Sequence, residues 1–352
     1  MNQEEAKSFN ALNIVLQSNY AELKKSFEQF GSWSGAWQKL KGDHNVDADA
    51  EWKKLAQHEV RLILKEDANF PAALKEIPWP PLGIFVKGNS DLFSHLASPM
   101  VGIVGTRKAT TQGKELAKKI AKELVRRQVV IVSGLALGID ESAHWGAIEA
   151  SGKTIAVLAL GLDQVYPRQN IHLARKILEL GGCLVSEYPI GSNSFPNRFI
   201  ERNRIISGLG LGIVVIEAPE DSGALATARF ALEQNREVFV MPGFSGHYNY
   251  VGSHKLLREG ARLVTSAEDI LEDLNLKEDS ENISLPLENA KNLNLDEGQS
   301  RVLTVLRSAG KSLEVDEISQ LLKIEPSSAS RSLSFLLLGG IIKEGGGKYY
   351  LS

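Results

Sequence analysis

Val101-Gly102-Ile103-Val104-Gly105, followed by Thr106-Arg107-Lys108-Ala109-Thr110-Thr111-Gln112-Gly113, is the stretch that decides the fold. A short uncharged run suits a strand buried on both faces, and the small hydroxylated residues after it suit a turn into a helix. The pattern recurs. Val129-Val130-Ile131-Val132, Thr154-Ile155-Ala156-Val157-Leu158, Cys183-Leu184-Val185, Ile213-Val214-Val215-Ile216 and Val238-Phe239-Val240 are further short apolar runs. Between them, stretches near 113–127, 139–150, 170–180, 198–208 and 223–235 read as helices. Strands alternating with helices build βαβ units, so the expected class is α/β: a Rossmann-like, mostly parallel sheet with helices on both faces, spanning residues 96–274.

Upstream, residues 1–95 read as a small helical N-terminal domain. Phe9, Leu12, Ile14, Val15 and Leu16 open an apolar stripe, and Leu23, Phe27 and Phe30 follow at helical spacing. Phe70-Pro71 and Pro78-Trp79-Pro80-Pro81 break that pattern, and Gly83-Ile84-Phe85-Val86 suits a short strand. Downstream, residues 275–296 are rich in Asn, Glu and Asp, contain Pro286 and read as a linker. Residues 297–352 hold three helical stretches, near 298–309, 314–322 and 326–338. A hairpin of Ile341–Glu344 and Lys348–Leu351 follows around Gly345-Gly346-Gly347, which predicts a winged-helix domain.

A length of 352 residues fits two or three domains, and 43% hydrophobic residues argue against wholesale disorder. The one cysteine, Cys183, excludes an internal disulfide and fits a reducing compartment; its apolar neighbours suggest a small buried hydrophobe rather than a nucleophile. No run approaches the roughly 20 apolar residues that span a bilayer. Met1-Asn2-Gln3-Glu4-Glu5 offers no basic leader, so the expectation is a cytoplasmic protein without membrane contact. The net charge is −3. Residues 98–274 carry 20 Lys/Arg against 19 Asp/Glu, so a site for nucleic acid has to be a local basic cleft rather than a charged face.

In an open parallel sheet the ligand lies beyond the carboxyl ends of the strands, at the helix N-termini. Gly105 and Thr106 let the backbone approach a ligand there. Arg107, with Lys108 beside it, offers a planar donor fork for phosphate oxygens. A capped turn with a solvated arginine is the plainer alternative. The glycine spacing is not that of a dinucleotide fingerprint, no acid ends the second strand, and no phosphate-loop motif is present. After the second strand, Gly134 and Gly138 frame a tight loop with Asp140 as a cap. His144, four residues on, is expected to contact Asp140 structurally rather than to share a metal with it.

Phe195-Pro196-Asn197-Arg198-Phe199-Ile200-Glu201-Arg202-Asn203-Arg204 sets three arginines and two aromatic rings in ten residues. Rings stack on unpaired bases at about 1–3 kcal/mol per base while guanidinium groups hold the phosphates between them. Composition equally allows a helix with Phe199 and Ile205 in the core and the arginines in ion pairs. Further on, Ser222 is a plausible N-cap with Gly223 beside it, and Lys255 lies in a basic helix start near the same rim. Ser222 has no assignable base, so no catalytic residue, metal or cofactor is expected.

Together these segments resemble the DNA-processing protein A family (DprA, also called Smf). The matching elements run in order: Gly105-Thr106-Arg107; Ser133 to Asp140 with Ala143-His144; Ser186-Glu187; Arg202-Asn203-Arg204-Ile205-Ile206-Ser207-Gly208-Leu209; Glu217-Ala218; Ser222-Gly223 with Thr227-Ala228; and Pro242-Gly243. Phe70-Pro71, Pro80-Pro81 and Phe85-Val86-Lys87-Gly88-Asn89 resemble the family's preceding segment. The resemblance implies a non-catalytic protein that binds and protects single-stranded DNA, forms a homodimer and helps load the RecA recombinase in natural transformation. It assigns a phosphate to Arg107 and a stacked base to Phe199, while Arg202 and Arg204 help hold the helix that shapes the pocket. Ile200, Glu201 and Pro196 depart from the family pattern, which makes Arg198 the substitute phosphate contact; Ala224 stands where Ser is common. The rival reading is a nucleotide-processing enzyme like the phosphoribohydrolases, but the turn from Glu217 to Ala228 lacks their Gly-Thr-x-x-Glu.

Overall fold

Nine strands form one sheet in the order β1-β2-β6-β5-β4-β3-β7-β8-β9. They are β1 (Val60–Leu64), β2 (Gly83–Gly88), β3 (Met100–Val104), β4 (Val130–Ser133), β5 (Thr154–Leu158), β6 (Cys183–Ser186), β7 (Gly212–Val215), β8 (Glu237–Val240) and β9 (Arg262–Leu263). From β6 to β9 every pairing is parallel. These features come from a computed structural model, which describes residues 2–42, 44–93, 98–276, 296–309, 312–338, 342–345 and 347–351. The chain divides into two units, residues 1–276 and 277–352.

Helices clothe both faces of the sheet. Ile205, Ile206 and Leu209 of α9 (Pro196–Leu209) and Ala224, Leu225 and Ala228 of α10 (Gly223–Glu233) join Met100 and Val104 of β3 on one side. On the other side, α6 (Thr111–Arg126) and α7 (Ile139–Glu149) cover Val101 and Ile103, the alternate residues of the same strand. Helix α6 shows why this happens. Thr110 caps it by accepting the Gly113 N–H at 2.9 Å, and Ala117, Ile120, Ala121 and Leu124 repeat at helical spacing on the buried stripe. Each large aliphatic residue so buried stabilises the fold by about 1.5–3 kcal/mol.

The N-terminal 95 residues were expected to form a separate helical domain; the boundary at 95–96 lies outside the described residues. Four helices do open the chain, α1 (Gln3–Val15), α2 (Tyr20–Phe30), α3 (Trp33–Leu40) and α4 (Ala48–Gln57). Strands β1 and β2 then join the nine-stranded sheet, β2 pairing antiparallel with β6, so these residues share one unit with everything to residue 276. Hydrophobic burial explains it: Leu62, Phe85 and Leu184, on three neighbouring strands, belong to the same core cluster as Phe9 and Trp33. The expected linker 275–296 falls almost wholly outside the described residues.

Among its described residues the second unit contains three helices, Glu297–Ala309, Val315–Leu322 and Pro326–Leu338, and an antiparallel sheet of Leu313–Glu314, Ile342–Gly345 and Lys348–Leu351. Val302, Leu306, Ile318, Leu333 and Ile342 form its core.

Candidate nucleic-acid interface

Chain order places the site. From β3 the chain steps outward through β4 and β5 to β6, then α9 carries it back across the sheet to β7 on the far side of β3. The order therefore reverses at β3, and the loops after β3 and β7 part to leave a crevice at their carboxyl ends. A cleft of about 780 Å³ lies there. Gly105, Thr106, Arg107 and Lys108 line it from the β3 loop, Ser222 and Gly223 from the β7 loop, and Phe195, Phe199 and Arg202 from α9 and its approach.

Arg107 and Lys108 are exposed, whereas Thr106 is buried. The Arg107 guanidinium stands 5.1 Å above the centre of the Phe199 ring. A cation donor and an aromatic face thus share one opening, which permits a phosphate and its neighbouring base to be held together. Phe195 is 51% exposed and Ile200 is 53% exposed, so the α9 wall presents apolar surface to solvent.

The loop bearing Arg107 is held from below by Glu217. Thr110 donates its backbone N–H to Glu217 Oε2 at 2.9 Å and its hydroxyl to Oε1 at 2.5 Å; Asn249 and Tyr250 each donate at 3.0 Å. Burial pushes the Glu217 carboxyl up, but these donors outweigh it and hold the group below the usual carboxylate range. The Thr106 N–H donates to the Glu217 carbonyl at 2.7 Å, and Asn249 also reaches the Lys108 carbonyl at 3.0 Å. The cation-bearing loop is therefore fixed by hydrogen bonds before any ligand arrives.

Gly134 and Gly138 do not line the cleft but make room beneath it. A Cβ on Gly134 would lie 2.6 Å from Arg202 Nη1, and Gly138 has φ +87° with a Cβ position that would fall on the Thr106 carbonyl oxygen. Asp140 accepts the Gly134 N–H at 3.0 Å. The expected Asp140–His144 contact is absent: His144 turns to Thr154, with 2.8 Å between Nδ1 and Oγ1, and burial lowers its pKa to about 3. Gly138, not Asp140, stands at the cap position of α7. Among the described residues no three His, Cys, Asp or Glu side chains form a group suited to a metal. Cys183 is buried, and burial pushes its thiol up.

The three arginines of α9 have separate fates. Arg202 is 4% exposed; it donates to the carbonyls of Gly134 at 2.8 Å and of Val157, and burial lowers its pKa to about 10. Arg204 is 1% exposed, binds both Glu187 carboxylate oxygens at 2.7 Å and packs its guanidinium 4.4 Å from the centre of the Trp79 ring. A direct DNA contact, expected for Arg204 as a site residue, is closed to it by that burial. Arg198 lies outside the cleft lining, packed over Tyr188 at 4.3 Å and Phe195 at 5.0 Å and donating to the carbonyls of Asn193 and Gln17. Lys255 stays exposed on the helix Val251–Arg258 without lining the cleft.

Tyr166, Tyr248 and Asn249 line the cleft although no motif marked them, and Asn203 lines it from within the Arg202-Asn203-Arg204 run. Tyr166 arrives from the loop after β5 and Tyr248 from a short turn after β8, so each is distant in sequence from the segments that carry the pattern. Tyr248 donates to Asp221 at 2.9 Å, keeping that carboxylate occupied on the opposite wall.

A family model for DNA recombination-mediator protein A matches residues 61–275. The Escherichia coli protein Smf is 40% identical over 230 residues, covering 65% of this chain and 60% of that relative. The Bacillus subtilis DNA processing protein DprA is 44% identical over 205 residues, covering 58% of this chain and 68% of that protein. The match thus spans about 60% of the E. coli relative's length. Among solved structures, DNA processing protein A of Streptococcus pneumoniae aligns with a TM-score of 0.60 at 38% identity, covering 68% of this chain and 81% of that one. The Helicobacter pylori protein, described for its unique single-stranded DNA binding mode, aligns with a TM-score of 0.55 at 28% identity, covering 62% and 97%. No described helix is long and apolar enough to cross a membrane. A family model matched across most of the nine-stranded unit, and a cleft at its reversal point, lead to one assignment: the chain belongs to the DNA recombination-mediator protein A family.

Proposed function

We propose that this protein binds single-stranded DNA in the cleft at the carboxyl ends of β3 and β7. Arg107 and Lys108 take the phosphate, the N-terminal end of α10 at Ser222 and Gly223 offers a second anion position, and Phe199 stacks on a base. The observation that carries this reading is the Arg107 guanidinium poised 5.1 Å over Phe199 in an open cleft. The H. pylori relative's described single-strand binding supports it. A paired base offers no free face to a ring, so the same arrangement disfavours duplex.

The wider role follows the family: a homodimer that protects the strand and helps load the RecA recombinase in natural transformation, acting in the cytoplasm. The C-terminal unit is proposed to be a winged helix that contacts protein, because Arg331 is the one basic residue of the helix Pro326–Leu338. Duplex recognition draws on several phosphate neutralisations.

The test is an anisotropy titration of the whole chain with oligo-dT and with a duplex of equal length across a salt series. Tighter single-strand binding is expected, with Phe199→Ala weakening it roughly tenfold at an unchanged salt slope, because stacking releases no counterions. Duplex binding as tight as single-strand binding would contradict the proposal.

A further inference from the structure

Tyr166 enters the cleft beside Phe199. Its side chain is 45% exposed, and its ring centre lies 5.6 Å from that of Phe199 with the two planes 55° apart. The segment that carries it is anchored from behind. Asn170, only 3% exposed, donates its side-chain amide to the Leu135 carbonyl at 2.9 Å and so ties this segment to the loop between Gly134 and Gly138. An exposed ring on an anchored segment loses little freedom when a base lands on it.

The spacing restricts what can land. Successive bases of a stacked strand are parallel and about 3.4 Å apart. Rings 5.6 Å apart and 55° askew cannot both lie flat against such a stack. Each can take a base face only if the strand bends between two nucleotides. Burial offers no competing explanation, since Tyr166 remains nearly half exposed and its partner in the contact is the very ring assigned to a base.

We propose that Tyr166 is a second base-stacking residue, and that Phe199 and Tyr166 hold adjacent nucleotides of an unpaired strand splayed apart at a kink. This rests on the single-strand reading of the same cleft and adds a second base position to it. A duplex would have to lose both pairing and stacking at the kink, so the second ring sharpens the discrimination against paired DNA.

The experiment uses the full chain with an oligo-dT in which 5-iododeoxyuridine replaces thymidine, cross-linked by light and mapped by mass spectrometry. Cross-links at both Phe199 and Tyr166 are expected. Tyr166→Ala should weaken oligo-dT binding about tenfold with the salt slope unchanged, and Tyr166→Phe should retain wild-type affinity because the ring, not the hydroxyl, does the stacking. Cross-links at Phe199 alone, with wild-type affinity in Tyr166→Ala, would overturn the second base position and leave the first standing. No cross-link in the cleft, with affinity intact in both Tyr166→Ala and Phe199→Ala, would overturn both.

Discussion

Helix α9 has two halves made from similar residues and put to opposite uses. Its first turns, from Pro196 to Ile200, leave Phe199 and Ile200 open to the cleft; from Arg202 to Leu209 every residue is buried, two arginines included. Arg204 spends its charge on Glu187 and Trp79, and Arg202 on backbone carbonyls, while exposed Arg107, far earlier in the chain but adjacent in space, meets Phe199. A dense run of arginine and aromatic residues can thus be half architecture and half binding surface. What decides is position along the helix: its first turns stand at the cleft, while residues 202–209 are buried on every side.

That contrast can be broken by mutation. The largest effect is expected at the buried half. Arg204→Ala leaves Glu187 without its cation at a nearly closed site and should destabilise the nine-stranded unit by about 3–5 kcal/mol. Urea unfolding measures it, and a loss under 1 kcal/mol would show the buried half to be dispensable. Next comes Arg107→Ala, expected to leave stability alone and weaken single-strand binding roughly tenfold or more. Its salt slope should fall by about 0.7, the share of one phosphate on a single strand. An unchanged slope in the folded variant would remove Arg107 from the phosphate path.

Glu217→Gln stands between the two cases, since Glu217 is buried yet holds the loop that binds. Hydrogen bonds depress its folded-state pKa, so the stability it contributes is present above the ordinary carboxylate value of about 4.3 and is lost as pH falls through the lower folded value. The variant should therefore be less stable than wild type by about 1 kcal/mol at pH 7. The gap should close as the pH drops below about 4. A gap that is constant down to pH 3, measured by thermal unfolding, would assign the effect to packing rather than charge.

Much of the fold was legible because buried parallel strands are short uncharged runs: Val101–Val104, Ile155–Leu158 and Ile213–Val215 announce themselves. β1 was not, since exposed Arg61 interrupts it, and β9 offers only two residues, both exposed. The cleft was legible where the chain turns straight from strand to helix, at Gly105–Lys108 and Ser222–Gly223. Tyr166 and Tyr248 escaped notice because position in space, not neighbours in sequence, brings them in. For Arg204 the composition alone matched a binding residue and only the resemblance assigned it a supporting role, because its partners Glu187 and Trp79 lie 17 residues behind it and far upstream.

The most direct test of the cleft is hydrogen exchange of the whole chain with and without saturating oligo-dT. Slowed exchange is expected in residues 105–111, 196–201 and 219–224, with the buried half of α9 already slow in both states. Protection confined to residues 297–352, or none in those three segments, would contradict it.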